Sequence, residues 1–571
     1  MVRILCIAAY IFLTLYFPLI IWIIRIFIYY YQILDTMKKT LFTISLCLLL
    51  LNTSSQERND NCTSLLVSKG ASTDGSVMIT YACDAEFVGS MRYIPAMDYE
   101  DDAFIEITRR GGEVNKIKQV SHTYKVVGNV NEHQVAIGET TTSGRRELSN
   151  REGLLGYGQL MELMLQRAQT AREGIKIITD LVEEYGYNGP MEAFSISDPD
   201  EAWILELCGK GPGVKGAIWV ALRVPDGYIS CHANLSRIGE IPFDDTENCM
   251  YCKDVKSFAI EKGYYDPDSG EPFRFNLAYC PPTPSSLRAC SARVWSIFNR
   301  SAPSLKLSPD YHRGIEGAEP YPLWIKPDEK ISLAGLFSLL RDHYEGTDFD
   351  MTKGVDAGPF GSPYRWRPLG WEVDEVSYYW ERPVATQQTA YSFVSQSRSW
   401  LPDPIGGINW YGVDDAYTNC FVPFYCCVDN VPEPYQAGDL QDFSWDSAWW
   451  VFNFVANFAN LKYSYMVKDI QEVQGKLEGI AINSQSAVEN TALELQKNDP
   501  DLMVRYLTNY CNAHAEFVFK EWIELGEQLI CKYNDGYVKD ENGRARGVGY
   551  PEEWLRRVIE ERPEQFRLGK W

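Results

Sequence analysis

The sequence predicts an α+β fold, in which β-sheets pack against helices and a helical extension follows at the C-terminal end. Three observations carry this prediction. Short runs rich in Val, Ile and Thr, each about the length of one strand, recur between residues 62 and 234. Two amphipathic segments interrupt these runs, and long helical patterns dominate the chain after residue 445. Strands and helices that cluster in separate groups are typical of layered α+β domains.

The predicted strands lie on both sides of the two amphipathic segments. They are the runs CTSLLVS, SVMITYA, HQVAIGETT, EAFSIS, AWILELC, AIWVALR and GYISCHAN. Helices are predicted at 157–168 and 171–185. In the second helix, Ile175, Ile178 and Val182 recur at helical spacing on one face, as expected of a helix that covers a sheet.

The chain divides into a leader at residues 1–61, a main domain at 62–440 and a helical extension at 441–571. The middle of the chain is rich in Pro, Gly, Trp and Tyr, with helices predicted near 291–300 and 332–344. The extension opens with the run WWVFNFVANF. We interpret this run as the buried core of a helix and not as a cofactor site, and we predict no cofactor.

Composition excludes one class of partner. The net charge is -23, whereas hydrophobic residues make up 45% of the chain and aromatic residues 13%. Such a chain can bury a large core, and its acidic surface repels phosphate backbones. No basic stripe or Gly-rich phosphate loop is present in the sequence, so we predict no nucleic-acid partner. Thirteen of the 15 Cys lie from Cys62 onward, and whether they form disulfides stays open.

The leader contains two export signals. Residues 4–24 carry no charge and are long enough to span a bilayer, which predicts a transmembrane helix and membrane association. A second signal begins at Met37 with a basic start, an apolar run at 41–51 and small residues at 53–55, which is the pattern of a cleaved secretory signal. We favour Met37 as the true start. Both interpretations predict a periplasmic or extracellular protein.

Cys62 is the candidate nucleophile. It opens the segment CTSLLVSKGASTDGSVMITYACD, which predicts a strand, a turn and a second strand. A Cys at a strand start is usually a core or disulfide residue. As the first residue of a chain, however, Cys62 would hold a thiol and an α-amine with a pKa of about 7.7 to 8.0, suited to a general base. No catalytic His is then required, and we interpret His133 and His232 as structural.

From Cys62 onward the sequence resembles the cysteine dipeptidases of the N-terminal-nucleophile (Ntn) hydrolase superfamily, which are relatives of secernins. The matching segments are Cys62-Thr63, KGASTDGS, NEH running into IGETT, GYISCHAN, SARVW, DMTKGVDAGPFG, TQQTAYSFVSQSRSWLPDP and GVDDAYTNCFVP. The resemblance implies a four-layer αββα sandwich. It also implies hydrolysis of small peptides, namely dipeptides, through an acyl-enzyme on Cys62, after autocatalytic removal of the residues before it.

The resemblance also implies roles for individual residues. Asp84 would orient the amine and thiol of Cys62, although a turn-capping Asp explains this position as well. Asn234 would hold the developing oxyanion, or be a plain turn residue. Thr141, or its neighbour Thr140, falls where relatives place a second oxyanion donor.

One position departs from the family pattern. Amidase relatives have an Arg three residues before the catalytic-loop Asp84, whereas this chain has Tyr81. Either the Tyr81 hydroxyl does the work of that Arg, or another cation such as Arg293 replaces it.

Other patterns and functions compete. Cys249 and Cys252 have the spacing of zinc ligands but lack a second pair, so we predict no metal site there. The role of the segment 342–345, DHYE, stays open. An amidase or acyltransferase that acts on N-acyl compounds would use the same nucleophile. A membrane-anchored binding or structural protein with a disulfide-bonded Cys62 is the third alternative.

Overall fold

Two large antiparallel β-sheets organise the structure, a computed structural model that describes residues 62–108 and 112–569. The strands are β1 (Ser64–Val67), β2 (Met78–Asp84), β3 (Tyr93–Ile94), β4 (Met97–Asp98), β5 (Phe104–Thr108), β6 (Val114–Lys118), β7 (His122–Thr123), β8 (Val126–Val127), β9 (Val130–Asn131), β10 (Ala136–Thr142), β11 (Met191–Ser197), β12 (Ala202–Gly209), β13 (Ala217–Arg223), β14 (Ile229–His232), β15 (Cys249–Tyr251), β16 (Trp324–Ile325), β17 (Gly370–Val373), β18 (Val376–Tyr379), β19 (Thr389–Gln396), β20 (Ile408–Val413), β21 (Val422–Tyr425), β22 (Val538–Lys539) and β23 (Ala545–Arg546).

Helices alternate with these strands and close the chain. They are α1 (Tyr157–Leu165), α2 (Ala171–Tyr185), α3 (Ser257–Glu261), α4 (Phe275–Tyr279), α5 (Pro284–Ser286), α6 (Ala292–Ser301), α7 (Leu333–Leu340), α8 (Asp403–Gly406), α9 (Ala448–Ala459), α10 (Tyr463–Asn498), α11 (Pro500–Tyr533) and α12 (Glu552–Glu561). A π-helical turn, Leu287–Ser291, joins α5 to α6. The predicted α+β class is confirmed.

The first sheet places Cys62 near its centre. Its strand order is β16-β14-β1-β2-β19-β20-β21. Strand β1 pairs with β14, where Ser64 lies opposite His232, and with β2, where Leu66 lies opposite Ile79. The two residues before β1, the end of β2 and the end of β14 therefore meet at one end of these central strands.

The second sheet faces the first. Its strand order is β15-β13-β12-β11-β10-β9-β8-β3. Strands β1 and β2 of the first sheet contact β10, and β1 also contacts β11 and β12. Every residue of β11 and β12 is buried, so both faces of the second sheet are covered. Helix α1 contacts β10, and α2 contacts β11, β12 and β13.

Helix α2 begins and ends at the predicted residues. The Thr170 side chain accepts a hydrogen bond from the Glu173 backbone N–H and so caps the first turn. Ile175, Ile178 and Val182 are buried against the sheet, as their spacing predicts. The helix ends at Gly186, whose φ of 80° lies in the left-handed region that favours glycine.

The C-terminal helices pack on the first sheet. Helices α10 and α11, with 36 and 34 residues, contact each other along their length, and both contact β21. Asp499 caps α11 by accepting from the Leu502 backbone N–H, and Pro500 occupies its first position. The predicted long helices are therefore present, while a domain boundary near residue 440 stays a prediction.

The leader signals lie outside the described residues, as do all predictions for residues 1–61. Between residues 62 and 569, with 109–111 left aside, no helix has the length and apolarity needed to cross a bilayer.

Candidate active site

Cys62 lies between the two sheets, two residues before the start of β1 at Ser64. The next residue, Thr63, forms an antiparallel bridge with Ala82 of β2, with N···O distances of 3.1 and 2.9 Å. The Cys62 side chain is fully buried. Its Sγ lies 3.7 Å from the Tyr81 hydroxyl of β2 and 3.5 Å from Oε1 of Glu139 of β10. The thiol therefore contacts one side chain from each sheet.

Arg293 of α6 ties the backbone of Cys62 to Asn234. Its Nη1 donates to the carbonyl oxygen of Cys62 at 2.6 Å and to Oγ1 of Thr63 at 2.8 Å. Its Nη2 donates to the Ala233 carbonyl at 3.2 Å and to Oδ1 of Asn234 at 2.9 Å. Nε donates to the carbonyl of the residue at 289, at 2.9 Å. All five N–H donors of the guanidinium are used, so Arg293 holds the site together and has none left for a substrate.

Asn234 and Thr141 meet on the other side of Arg293. Asn234 follows β14 with a φ of 59°, a left-handed conformation that Asn tolerates better than most residues. Its Nδ2 donates to the Thr141 carbonyl at 2.7 Å. Thr141 in turn donates from Oγ1 to Oε2 of Glu139 at 3.3 Å. A continuous set of contacts thus joins Cys62, Arg293, Asn234 and Thr141, all of which were predicted to lie in the site.

Asp84 forms a buried ion pair. Its carboxylate accepts from Arg382 and, at 2.6 Å, from Oγ1 of Thr389. Burial raises the pKa of Asp84, and Arg382 opposes that shift. In the described part of the chain, no hydrogen bond joins Asp84 to Cys62. The role predicted for Asp84 in orienting Cys62 stays a prediction.

Tyr81 and the two nearby cations, Arg382 and Arg293, have different partners in the site. The Tyr81 hydroxyl donates to Glu139, and its oxygen lies 3.0 Å from the thiol sulfur of Cys83. The cation beside Asp84 is Arg382, a residue that the sequence analysis did not single out. Arg293 contacts Cys62 and Asn234 instead.

The charges around Cys62 oppose its ionisation. Burial, the contact with Cys83 and the charge of Glu139 raise the pKa of Cys62 well above its ordinary value. Burial and the neighbouring Glu139 likewise raise the pKa of Glu192, which lies opposite Thr141 on β11. The thiol is therefore protonated at neutral pH unless a base or a positive charge is added.

The two histidines near the site, His232 and His133, contact residues other than Cys62. His232 lies 2.7 Å from Oγ1 of Thr140 and 2.7 Å from the Ser195 hydroxyl, and burial lowers its pKa to about 3. It is a neutral bridge between the two sheets, and Thr140 is held by it. His133 lies 3.5 Å from the Asp403 carboxylate.

The thiols at 249 and 252 are both free, as are the other eleven cysteines from Cys62 onward. The Trp219 backbone N–H donates to Cys252 Sγ at 3.2 Å. Within 62–108 and 112–569, no group of three or more His, Cys, Asp or Glu side chains is arranged to hold a metal ion.

The DHYE segment supports Arg382. The backbone N–H groups of Val384 and Ala385 donate to the Asp342 carbonyl at 3.1 and 3.2 Å. The Tyr344 hydroxyl donates to the Arg382 carbonyl. The segment 342–345 thus fixes the backbone of Arg382, the residue that pairs with Asp84, and of the residues that follow it.

Three contact residues were missed by sequence reasoning. Glu139 stands in the run IGETT, where a single charged residue inside an otherwise uncharged strand was an available signal. Cys83 follows Ala82 in β2 and looked like an ordinary core residue. Arg382 lies in an irregular segment, and no local pattern connects it with Asp84.

Comparison with known proteins identifies the family. The model of peptidase family C69 matches residues 92–476, which is more than half of the chain but excludes Cys62, Tyr81 and Asp84. A probable dipeptidase of Latilactobacillus sakei is 25% identical over 400 residues, covering 66% of this chain and 76% of the relative. Dipeptidase A of Lactobacillus helveticus is 25% identical over 430 residues, covering 71% and 83%.

A probable dipeptidase B of Lactococcus lactis subsp. lactis is 24% identical over 497 residues, covering 83% of this chain and 96% of the relative. The predicted family and the predicted class of enzyme, a hydrolase of peptide bonds, are confirmed. The chain belongs to peptidase family C69.

Proposed function

We propose that this protein hydrolyses dipeptides with Cys62 as an N-terminal nucleophile. The observation that carries the proposal is the set of five hydrogen bonds from Arg293, which fixes the Cys62 backbone beside Asn234. Arg293 thereby joins the backbone of a thiol residue to an amide side chain, and a thiol nucleophile and an amide donor are groups that acyl transfer uses. The relatives named dipeptidase A and dipeptidase B support the choice of substrate.

Activation begins with cleavage of the Asn61–Cys62 peptide bond. Before cleavage the nitrogen of Cys62 is an amide and has no basicity at neutral pH. After cleavage it is an amine with an ordinary pKa of about 7.7 to 8.0. This amine takes the proton of Sγ, directly or through one water molecule, and the resulting ammonium group stabilises the thiolate. The new positive charge opposes the burial and the Glu139 charge that raise the pKa of Cys62.

Two steps complete the reaction. The thiolate attacks the peptide carbonyl carbon, and the carbonyl oxygen becomes an oxyanion that Nδ2 of Asn234 stabilises. The C–N bond then breaks, and the leaving amine takes the proton from the Cys62 ammonium, which leaves a thioester on Sγ. A water molecule gives a proton to the Cys62 amine and attacks the thioester. The first amino acid leaves and the thiol is restored.

The same proposal extends to fold and location. Two facing sheets, with α1 and α2 against one and α6, α9, α10 and α11 against the other, support a four-layer Ntn-hydrolase sandwich. The signal that begins at Met37 supports export to the periplasm or the cell exterior, with its removal preceding the cleavage at Cys62. Autocatalytic cleavage by Cys62 itself is part of the proposal.

The test compares three variants of the full chain. Cys62→Ala should abolish hydrolysis of alanylalanine and retain residues before position 62 in an intact-mass measurement. Cys62→Ser keeps a weaker nucleophile and should be processed slowly. The matched control is Cys531→Ala, which removes an exposed thiol of α11 and should leave activity unchanged.

Substrate choice decides between the enzyme classes. The wild-type enzyme should hydrolyse alanylalanine faster than N-acetylalanine. Faster turnover of N-acetylalanine would favour the amidase alternative. A Cys62→Ala protein with wild-type activity would refute the nucleophile.

A further inference from the structure

We propose that Glu139 binds the α-ammonium group of the dipeptide, and that this contact selects substrates with an unblocked amino terminus. The inference rests on the proposed function, because it takes Cys62 as the nucleophile and a dipeptide as the substrate. Its starting observation is the distance of 3.5 Å between Oε1 of Glu139 and Sγ of Cys62.

Substrate geometry requires a carboxylate at about this place. In a dipeptide the amino nitrogen is two bonds from the carbonyl carbon under attack, a distance of about 2.5 Å. The sulfur approaches that carbon to about 3 to 3.5 Å before the bond forms. A group that binds the ammonium must therefore lie within a few ångströms of the nucleophile. Among the described residues, Glu139 is the only acidic side chain in hydrogen-bond contact with Cys62 Sγ.

The surroundings of Glu139 orient it for this task. Tyr81 donates to Oε1, and Thr141 donates to Oε2 at 3.3 Å. Glu192 lies beside it and is 1% exposed, and burial and the contact with Glu139 raise its pKa. A cation that binds at this buried pair would relieve the repulsion between the two carboxyl groups and would donate to Glu139.

Charge explains why this contact would affect turnover as well as binding. An anion beside Cys62 disfavours the thiolate, and the thiolate is the form of Cys62 that attacks the substrate. The ammonium of a dipeptide neutralises that anion when it binds, so the correct substrate makes the thiolate easier to form. A substrate with a blocked amino group brings no such charge to Glu139.

The test compares alanylalanine with N-acetylalanylalanine. Glu139→Gln keeps the shape and removes the charge. We expect kcat/KM for alanylalanine to fall by about 10- to 100-fold, the usual range for loss of a charged hydrogen bond. For the acetylated peptide kcat/KM should stay the same or rise, because this peptide has no ammonium contact to lose. Glu192→Gln should shift the same ratio in the same direction. Thermal unfolding of each variant checks that it is folded.

Two results would overturn the subsite, and they are distinguishable. Equal loss on both peptides would mean that Glu139 serves the Cys62 amine and not the substrate, and it would leave the proposed function intact. A wild-type protein that cleaves no dipeptide would refute the proposed function, and the subsite with it.

A separate observation supports a second inference: we infer that Cys62 and Cys83 form a reversible disulfide. Thr63 and Ala82 exchange both backbone hydrogen bonds across β1 and β2. One residue further along, Cys62 therefore lies opposite Cys83 as a non-hydrogen-bonded pair, for which Cα atoms are about 4.5 Å apart. Disulfides need a Cα separation of about 4.4 to 6.8 Å. Both thiols also contact the Tyr81 hydroxyl, at 3.7 and 3.0 Å.

The chemistry needs a hydroperoxide as oxidant. The Cys62 sulfur attacks the peroxide, the O–O bond breaks, and Cys62 becomes a sulfenic acid while water or an alcohol leaves. The Cys83 sulfur then attacks the Cys62 sulfur, the S–O bond breaks, and water leaves as the S–S bond forms. The disulfide blocks the nucleophile and also protects it from irreversible oxidation, and a thiol reductant restores both thiols.

Hydrogen peroxide followed by dithiothreitol tests this pair. The wild-type enzyme should lose activity and regain it, with a Cys62–Cys83 peptide in the oxidised digest. Cys83→Ser should lose activity without regaining it, because Cys62 then proceeds to sulfinic acid. The control Cys531→Ser should behave like wild type. Full recovery of the Cys83→Ser enzyme, or an oxidised digest without the linked peptide, would overturn the inference.

Discussion

Asn234→Asp tests whether Asn234 has a catalytic role at the proposed oxyanion site in addition to its structural one. The substitution keeps the shape of the side chain and its Oδ1, which accepts from Arg293 at 2.9 Å. It removes the Nδ2 donor, which lies 2.7 Å from the Thr141 carbonyl. The bond from Arg293 becomes an ion pair, which offsets part of the repulsion between the new carboxylate oxygen and the Thr141 carbonyl, so the variant should fold with lower stability. The proposed reaction, by contrast, loses the donor that the oxyanion requires.

The expected effect on turnover is large. Removal of one oxyanion donor costs about 2.7 to 4 kcal/mol in the transition state, or about 100- to 1000-fold in kcat. Because Asp also adds a negative charge, Asn234→Gly is the matched variant. Its left-handed backbone, with a φ of 59°, suits glycine, so Gly removes the donor without adding backbone strain or charge, and it also removes the acceptor of Arg293 Nη2, a loss that urea unfolding measures. Asn234→Ala would add strain of roughly 1 kcal/mol and obscure the comparison.

Steady-state kinetics with alanylalanine provide the assay, and urea unfolding provides the measure of stability. Both variants should lower kcat by at least about 100-fold and leave KM within a few-fold. A kcat within threefold of wild type in both variants would refute the oxyanion role. A change confined to KM would assign Asn234 to substrate positioning.

Three further predictions follow from buried groups. Arg382→Met should destabilise the fold by about 3 to 5 kcal/mol, because it leaves the buried Asp84 carboxylate without its ion pair. Adding Asp84→Asn should restore most of that stability in urea unfolding without restoring activity. Equal stability of the single and double variants would contradict the pairing. Tyr81→Phe should lower kcat/KM by less than about tenfold, because Arg382 and not Tyr81 neutralises Asp84, and a larger loss in the kinetic assay would return that work to the hydroxyl. The pKa of His232 is about 3 in the folded protein and about 6.5 when unfolded, so between these values the folded state binds fewer protons than the unfolded state. The free energy of unfolding should therefore fall by at most roughly 5 kcal/mol as the pH drops from about 6.5 to 3. In unfolding measurements at pH 7 and 4, His232→Gln should lose less stability than wild type, and an equal loss would contradict this source of the pH dependence.

Local elements were predictable because their signals are local. Helix α2 occupies the predicted residues 171–185, since its cap, its apolar spacing and its terminal glycine all lie within 17 residues of sequence. The seven predicted strands are present for the same reason. Segments of irregular composition were harder, and β19, β20 and β21 were not named as strands although they complete the first sheet.

Contacts between distant residues were not predictable from the sequence. Asp84 and Arg382 are 298 positions apart, and only the pairing of β2 with β19 brings the two segments together. The resemblance named Cys62, Arg293 and Asn234, but it could not show that one guanidinium holds the other two. Glu139 stands out in the sequence as a charged residue inside a strand, but its contact with Cys62 depends on how the second sheet faces the first.

The central claim is that activity begins when Cys62 becomes the first residue of the chain. The most direct measurement follows the amino-terminal residue and the rate of alanylalanine hydrolysis in the same samples during maturation of the wild-type protein. We expect activity to rise in proportion to the fraction of chains that begin at Cys62, and chains that retain Gln56 to Asn61 to be inactive. Full activity in protein that still carries residues before Cys62 would contradict the mechanism.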